Sequence, residues 1–287
     1  MVTSDDVFAR LALEHQTVFG LPPIEFIALA NDLGCRYIAI GLTNGPHDPH
    51  GYPPYSLRED AALRRRTIAA MHEHDVSISL GEGIIVRPGG DIRRYATDLD
   101  IMAELGVATI NTTSMDPDLP RSFDEFAVLA QMAAERGIGT TIEFAPSLTV
   151  ADLGCALAAV HHVARKDFRL LIDIMHLVRA GHTTADLASI EPTAIGYVQL
   201  SDNTIRQRGA VYRDDTIDRM VPGTGEFPLS QILAALPRDV VIGLEVPMLA
   251  AARAGESTRD RARRCVRAAR ELLTDLAAAD SPRKGQQ

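Results

Sequence analysis

The strongest constraint on this chain is a rhythm in its sequence: short apolar, β-branched runs alternate with longer segments of helical character, eight times over. The runs are "RLALE" at 10–14, "YIAIG" at 37–41, "VSISLG" at 76–81, "VATIN" at 107–111, "GTTIEF" at 139–144, "FRLLIDI" at 168–174, "AIGYVQL" at 194–200 and "DVVIGLE" at 239–245. Runs this short and this apolar suit strands of a parallel sheet covered on both faces. Between them lie helical patterns. In "PIEFIALANDLG", Ile24, Ile27 and Ala28 begin an apolar face and Gly34 offers a stop; others are "LREDAALRRRTIAAMHEH", roughly 91–105, roughly 121–136, "LSQILAAL" and about 256–279. Eight such units in 287 residues, with no change of composition between the halves, predict an α/β chain. The expected architecture is a single (β/α)8 TIM barrel over residues 1–280, followed by a polar tail at 281–287. The nearest competitor, an open Rossmann sheet, needs a glycine-rich phosphate turn after its first strand, and "ALEHQTVFG" has no GxGxxG.

The barrel reading gives meaning to the polar residues that close these runs. Glu143 ends the fifth run, Asp173 and Gln199 lie near the ends of the sixth and seventh, and Glu245 ends the eighth. Their separations of 30, 26 and 46 residues follow successive strand–helix units, the last lengthened by the segment 201–227. In a barrel such positions converge on the C-terminal mouth, where chemistry is built. Three carboxylates and an amide oxygen around one point repel one another unless a cation joins them, so the pattern predicts a divalent metal held by Glu143, Asp173, Gln199 and Glu245. Taken singly, Asp173 or Glu245 could equally cap a helix or pair with an arginine.

Other candidates surround this set. His176, three residues beyond Asp173 in "DIMH", is placed to move a proton, although a lone histidine there could simply hydrogen-bond a loop. Glu82 and Asn111, at the ends of the third and fourth runs, are expected substrate contacts, and His15 follows the first run. The segment 201–227 carries Arg206, Arg208, Arg213, Arg219 and the turn-forming "VPGTGEF" without clear periodicity, as active-site loops often do. Arg206 and Arg219 are expected to bind a substrate carboxylate or phosphate through paired hydrogen bonds, the alternative being salt bridges with Asp214, Asp215 or Asp218. The loop "GPHDPHGYPPY" after the second run is either a further active-site element or ordinary surface.

Composition narrows the classes of function. Twenty-nine basic and 38 acidic residues leave a net charge of −9, which argues against a nucleic-acid partner because such surfaces need clustered Lys and Arg. No apolar segment reaches the about 18 residues needed to cross a bilayer, and no signal-peptide pattern opens the chain, so a cytoplasmic enzyme without membrane partners is expected. Cys35, Cys155 and Cys265 are odd in number and widely spaced, unlike a redox or zinc motif, and are expected to be small buried hydrophobes.

Five segments taken in order resemble the xylose-isomerase-like barrel superfamily, in its sugar phosphate isomerase/epimerase branch, over about 8–280. They are "IEFAP" with Glu143, "IDIMH" with Asp173 and His176, "YVQLSD" with Gln199, "RMVPGTGEFPL" with Arg219, and "GLEVP" with Glu245. The resemblance implies one divalent cation, Mn2+ or Mg2+ ahead of Co2+, with Glu143, Asp173 and Glu245 as ligands. Gln199 stands where the family commonly has histidine, and its neutral oxygen favours a hard cation over zinc. It further implies an isomerase or epimerase acting on a small polyhydroxy ketone or aldehyde through an enediolate. Glu143 and Glu245 would exchange protons with carbon from opposite sides, and His176 would serve oxygen. Arg219 matches the family's arginine before PG. The chain is also similar to bacterial 3-dehydroshikimate dehydratases, which have glutamine at the place of Gln199 and a histidine corresponding to His176; this implies a lyase of a hydroxy-carbonyl acid as the alternative. The endonuclease-IV branch, with three zinc ions, extra histidines and DNA as substrate, fits this acidic chain poorly. A barrel that only binds is disfavoured, because convergent carboxylates without a use would cost stability. Exposed barrel helices leave a homodimer or homotetramer open.

Overall fold

The computed structural model describes residues 8–280. Eight strands pair in chain order and close into a barrel: β1 (Leu11–Glu14), β2 (Tyr37–Gly41), β3 (Ser77–Val86), β4 (Thr109–Ser114), β5 (Gly139–Glu143), β6 (Phe168–Asp173), β7 (Ile195–Leu200) and β8 (Ile242–Leu244). Every pairing is parallel, and the last strand returns to the first with Leu11 opposite Ile242 and Leu13 opposite Leu244. Closure removes both sheet edges, so no strand is left with a free row of backbone donors and acceptors.

Helices supply the outer layer: α1 (Pro23–Asp32), α2 (Ala61–His74), α3 (Ala96–Glu104), α4 (Leu119–Ala134), α5 (Leu153–Val163), α6 (Ile174–Arg179), α7 (Thr184–Ala188), α8 (Tyr212–Thr216), α9 (Leu229–Ala235), α10 (Leu249–Arg253) and α11 (Thr258–Asp280). Several start on aspartate. Asp60, Asp118 and Asp152 each accept the backbone N–H three residues on, which satisfies a donor the first helical turn leaves open and contributes about 1 kcal/mol apiece. The helix α1 ends as read, with Gly34 at φ +70° in the left-handed region that favours glycine.

Most of the core lies between sheet and helices, where Leu11, Leu13, Phe26, Ile38, Phe126 and Phe168 are fully or almost fully buried. A fully buried aliphatic or aromatic side chain of this kind contributes about 1.5–3 kcal/mol. Inside the barrel a smaller layer of Ala12, Ala39, Leu80, Leu171 and Tyr197 fills the axis. The interior is therefore packed, and the open end is left for chemistry.

Three strand boundaries differ from the sequence reading in ways that move candidate residues. β3 runs on to Val86, so Glu82 lies within it rather than at its end. The pairing with β4 shifts between Gly81 and Ile84, and Gly83 sits at φ +98°; such an irregularity re-aims side chains beside a site. β4 continues to Ser114 through the polar Thr112 and Thr113, which pair with Ile84 and Ile85, so Asn111 is also interior. β8 is short, and Glu245 follows it directly. Cys35 and Cys265 are buried as expected, whereas Cys155 on α5 is partly exposed; all three are free thiols. The tail at 281–287 lies outside the described residues. Among the described residues no helix is long and apolar enough to cross a membrane.

Candidate active site

The parallel ladder sets the positions of the carboxylates. Glu143 is the last residue of β5, Asp173 is the last of β6, and Asp173 lies opposite Gln199 of β7. Atoms of Glu143, Asp173 and His176 that can bind a cation all lie within 4.8 Å of one another. Asp173 also does what a lone aspartate at a strand end does: its Oδ1 caps α6, accepting the N–H of Met175 at 2.7 Å and of His176 at 3.3 Å. Its other oxygen accepts from Arg219 at 2.7 Å.

Arg219 corrects one expectation. It is buried, and its guanidinium bridges Asp173 and Glu245, 2.7 Å from each, while donating further to Ser201 Oγ and the Thr216 carbonyl. A guanidinium so committed balances the charge of the carboxylates and is not free to fork onto a substrate anion. The aspartates that stood as its alternative partners go elsewhere: Asp215 pairs with Arg179 at 2.7 Å, Asp214 Oδ2 accepts the Val211 N–H, and Asp218 Oδ1 accepts the Ala250 N–H. Arg206 is exposed on the loop, beside a surface hollow lined by Ile205, Gln207, Arg208 and Glu226, and is not part of the buried cluster.

Asn111 joins the cluster in a different capacity from the one expected. Its Nδ2 donates to Glu143 Oε2 at 2.6 Å, and its own oxygen accepts from Thr141 at 3.3 Å, so it orients a carboxylate. Glu82 is half-buried in β3. Gln16 donates to Glu245 Oε1 at 3.0 Å. His15 meets the Tyr55 hydroxyl at 3.0 Å, which ties β1 to the Pro/His-rich loop after β2.

Burial and mutual repulsion separate the titrations of these groups. Burial, reinforced by the Asp173 charge, pushes the Glu143 carboxyl up to about 8. Burial also raises Glu245 well above the usual carboxylate range; Arg219 opposes this, and Asp173 and Glu143 add to it. For Asp173 the burial penalty is outweighed by Arg219 and His176, which hold it at about 2. Burial keeps His176 down at about 4, with Asp173 pulling the other way and Arg219 reinforcing. At neutral pH the cluster therefore holds an ionised Asp173–Arg219 pair, a Glu143 that largely keeps its proton and a neutral imidazole, with Glu245 displaced in the same direction as Glu143. A cation would replace the Glu143 proton, since a bound divalent charge inverts the local titration order.

The donor set fits such a cation. Gln199 is 1% exposed and its Oε1 has no hydrogen-bond partner. An unpaired buried amide oxygen costs about 1–3 kcal/mol, a cost that coordination would remove. Three carboxyls and one amide oxygen are hard donors of the kind a divalent cation takes.

Four further residues shape the site in roles the sequence does not mark, Asp215 standing there only as a possible partner of Arg206 or Arg219. Tyr212, on α8, places its hydroxyl 2.6 Å from His176 Nδ1. Asp215, on the same helix, accepts the N–H groups of Arg208 and Gly209 as well as the Arg179 guanidinium. Asp202 accepts the N–H groups of Gly223, Gly225 and Phe227, which explains "PGTGEF": a Cβ on Gly225 would fall 2.3 Å from Asp202 Oδ1. Glu14 ends β1 inside the barrel, where its Oε1 accepts from Tyr197 at 3.0 Å, and Gly243 leaves room for it, since a Cβ there would lie 1.7 Å from the same oxygen. Only Glu14 carried a sequence signal, an acid closing an apolar run. The other three act through side-chain contacts that no periodicity marks.

A family model described as xylose isomerase-like TIM barrel matches residues 27–265. Among solved structures, the IolI protein with a bound zinc atom superposes with a TM-score of 0.78 at 17% identity, covering 93% of this chain and 99% of that one. A D-psicose 3-epimerase structure determined in the presence of D-fructose gives 0.69 at 15%, covering 92% and 99%. A D-allulose 3-epimerase from Methylomonas sp. gives 0.66 at 16%, covering 92% and 97%. No curated protein matches the chain in sequence.

Proposed function

The chain belongs to the xylose isomerase-like TIM barrel family, and on that premise we propose that it is a divalent-metal-dependent isomerase or epimerase of a small polyhydroxy ketone or aldehyde. The observation that carries this reading is the cluster of Glu143, Asp173 and His176 within 4.8 Å of one another, with Glu245 tied to Asp173 through Arg219 and the unpartnered Gln199 oxygen on the strand beside Asp173. Glu143, Asp173, Gln199 and Glu245 would hold the cation, Mn2+ or Mg2+ by donor type. When bound, the cation supplies charge stabilisation for an enediolate and orients adjacent substrate oxygens.

The residues of the chain do the rest. Glu143 and Glu245, on strands β5 and after β8, exchange protons with carbon. Glu143 is the better placed as an acid–base group, because its Oε1 faces His176 Nε2 while its Oε2 is held by Asn111. Asn111 fixes the orientation of Glu143 by donating to its Oε2. Arg219 stays ionised between Asp173 and Glu245 and limits the repulsion among the acids. His176 presents Nε2 on the same side as Glu143, 3.5 Å from its Oε1, where a ligand oxygen would meet it.

The related reading, a lyase that expels water from the same enolate, starts from the same proton abstraction and differs in the fate of the intermediate. The test is NMR in D2O on metal-analysed protein with Mn2+ or Mg2+ and a panel of ketoses, inosose-like compounds and 3-dehydroshikimate. Deuterium at the carbon beside the carbonyl, or an epimer, without loss of water is the expected result. A new vinyl signal replaces it with the lyase, and no exchange on any panel member overturns it.

A further inference from the structure

Helices α6 and α8 meet at two matched positions. His176 and Arg179, one turn apart on α6, contact Tyr212 and Asp215, one turn apart on α8: His176 Nδ1 lies 2.6 Å from the Tyr212 hydroxyl, and Arg179 lies 2.7 Å from Asp215. Arg179 and Asp215 are both buried, and Arg179 also donates to the Thr204 carbonyl at 3.1 Å. Asp215 further gathers the N–H groups of Arg208 and Gly209, so α8 is fixed by main-chain as well as side-chain bonds. The place of Tyr212 is therefore set by a buried ion pair one turn away.

This clamp decides the state of the imidazole. His176 Nε2 faces Glu143 Oε1 at 3.5 Å and Asp173 Oδ2 at 3.7 Å. Asp173 is paired with Arg219, and a carboxylate in such a pair only accepts. A ring nitrogen turned toward an ionised carboxylate is favoured as N–H, and in a neutral ring that leaves Nδ1 as the acceptor. The Tyr212 hydroxyl, at 2.6 Å, is the donor that fills it.

The geometry points to Tyr212 as a positioning residue that locks His176 in the Nε2–H tautomer, making His176 a hydrogen-bond donor to the substrate oxygen and excluding it from the cation's ligands. The inference rests on the functional reading above for what His176 meets, while the tautomer itself is a property of the chain alone. Gln199 is then left as the neutral member of the donor set, although His176 Nε2 lies within reach of the same point. A histidine fixed by a partner on its far nitrogen is how proteins set which ring atom faces the chemistry.

The test is long-range 1H–15N NMR on histidine-labelled protein, with the His176 signals identified by their loss in His176→Asn. The wild type is expected to show Nε2 protonated and Nδ1 bare. In Tyr212→Phe the donor is gone, and the ring is expected to shift toward a mixture of tautomers with unchanged thermal stability. In Asp215→Asn, which keeps the phenol and weakens the clamp, a smaller shift in the same direction is expected. If the wild type turns over a panel substrate, Tyr212→Phe lowers kcat about tenfold with KM changed less than about threefold, the signature of a contact made in the transition state. A wild-type ring protonated on Nδ1, or a ring unchanged in both variants, overturns the proposal. The wild-type spectrum and Asp215→Asn decide it if Tyr212→Phe does not fold. Absence of turnover with the expected tautomer contradicts the functional reading alone; turnover with the wrong tautomer contradicts this inference alone.

Discussion

The ring of strand-end donors and the segment 201–227 both build the mouth of the barrel, by different physics. Glu143, Asp173 and Gln199 are placed by backbone pairing along β5, β6 and β7, with Asp173 opposite Gln199 in the ladder. The segment has few regular hydrogen bonds of its own beyond the short α8. It is tied down by two aspartates, Asp202 collecting the N–H groups of the glycine-rich turn and Asp215 collecting Arg179 and two N–H groups near Arg208. A ladder distributes its strength over many bonds and tolerates the loss of one, whereas a knot fails when its centre is removed.

That contrast can be broken by substitution. The largest effect is expected from Asp173→Asn. It keeps the helix cap but removes the ionised partner of Arg219, costing about 3 kcal/mol for a broken buried pair and weakening Mn2+ binding about 100-fold; denaturant unfolding and calorimetry measure the two. Asp202→Ala is expected to cost about 2 kcal/mol and to confine its damage. Hydrogen exchange should rise across 201–227 while the amides of β5 and β6 keep their protection. Equal loss of protection in both regions would show that the two are one cooperative unit.

A pH series sharpens the same comparison, because the strongly raised carboxyls, Glu14 among them, lie in the barrel and at its strand ends and not in 201–227. Glu143 is raised in the folded protein to about 8 from an ordinary 4.5, so the folded state binds the extra proton and its stabilisation is lost as pH rises through 8. His176, depressed from 6.5 to about 4, contributes in the opposite sense only below 6.5. Cation-free protein should therefore lose thermal stability from pH 6.5 to 8, and saturating Mn2+ should flatten that slope. The smallest effect is expected for Arg206→Ala: within about 0.5 kcal/mol of wild-type stability and with unchanged turnover, since the side chain is exposed and outside the cluster. A large loss of turnover would place the exposed loop in substrate binding.

The two regions also differ in how far they could be read from sequence. The barrel and the positions of Glu143 and Asp173 followed from apolar runs ending in acids, because strand periodicity and ladder register are the same information. The ends of β3 and β4 lie a few residues beyond Glu82 and Asn111, because β3 carries an irregularity between Gly81 and Ile84 and β4 continues through threonines, which hide a strand behind polar side chains. Arg219 stands out in the sequence for its neighbouring PG, yet its role as the charge between Asp173 and Glu245 depends on residues 46 and 26 positions away meeting in space. Tyr212 and Asp215 were illegible for the same reason. Their partners, His176 and Arg179, lie 36 residues back in each case, and nothing local marks the pairing.

The central claim is that the strand-end ring is a hard-cation site completed by Gln199. Calorimetric titration of metal-stripped protein with Mn2+, in two buffers of different ionisation heat, tests it most directly beside Gln199→Leu. One ion per chain is expected, with proton release at pH 7 as Glu143 gives up its own. Gln199→Leu should bind about tenfold more weakly at undiminished thermal stability, because an unpartnered buried oxygen is lost. No saturable binding, or equal affinity in the variant, would contradict the account.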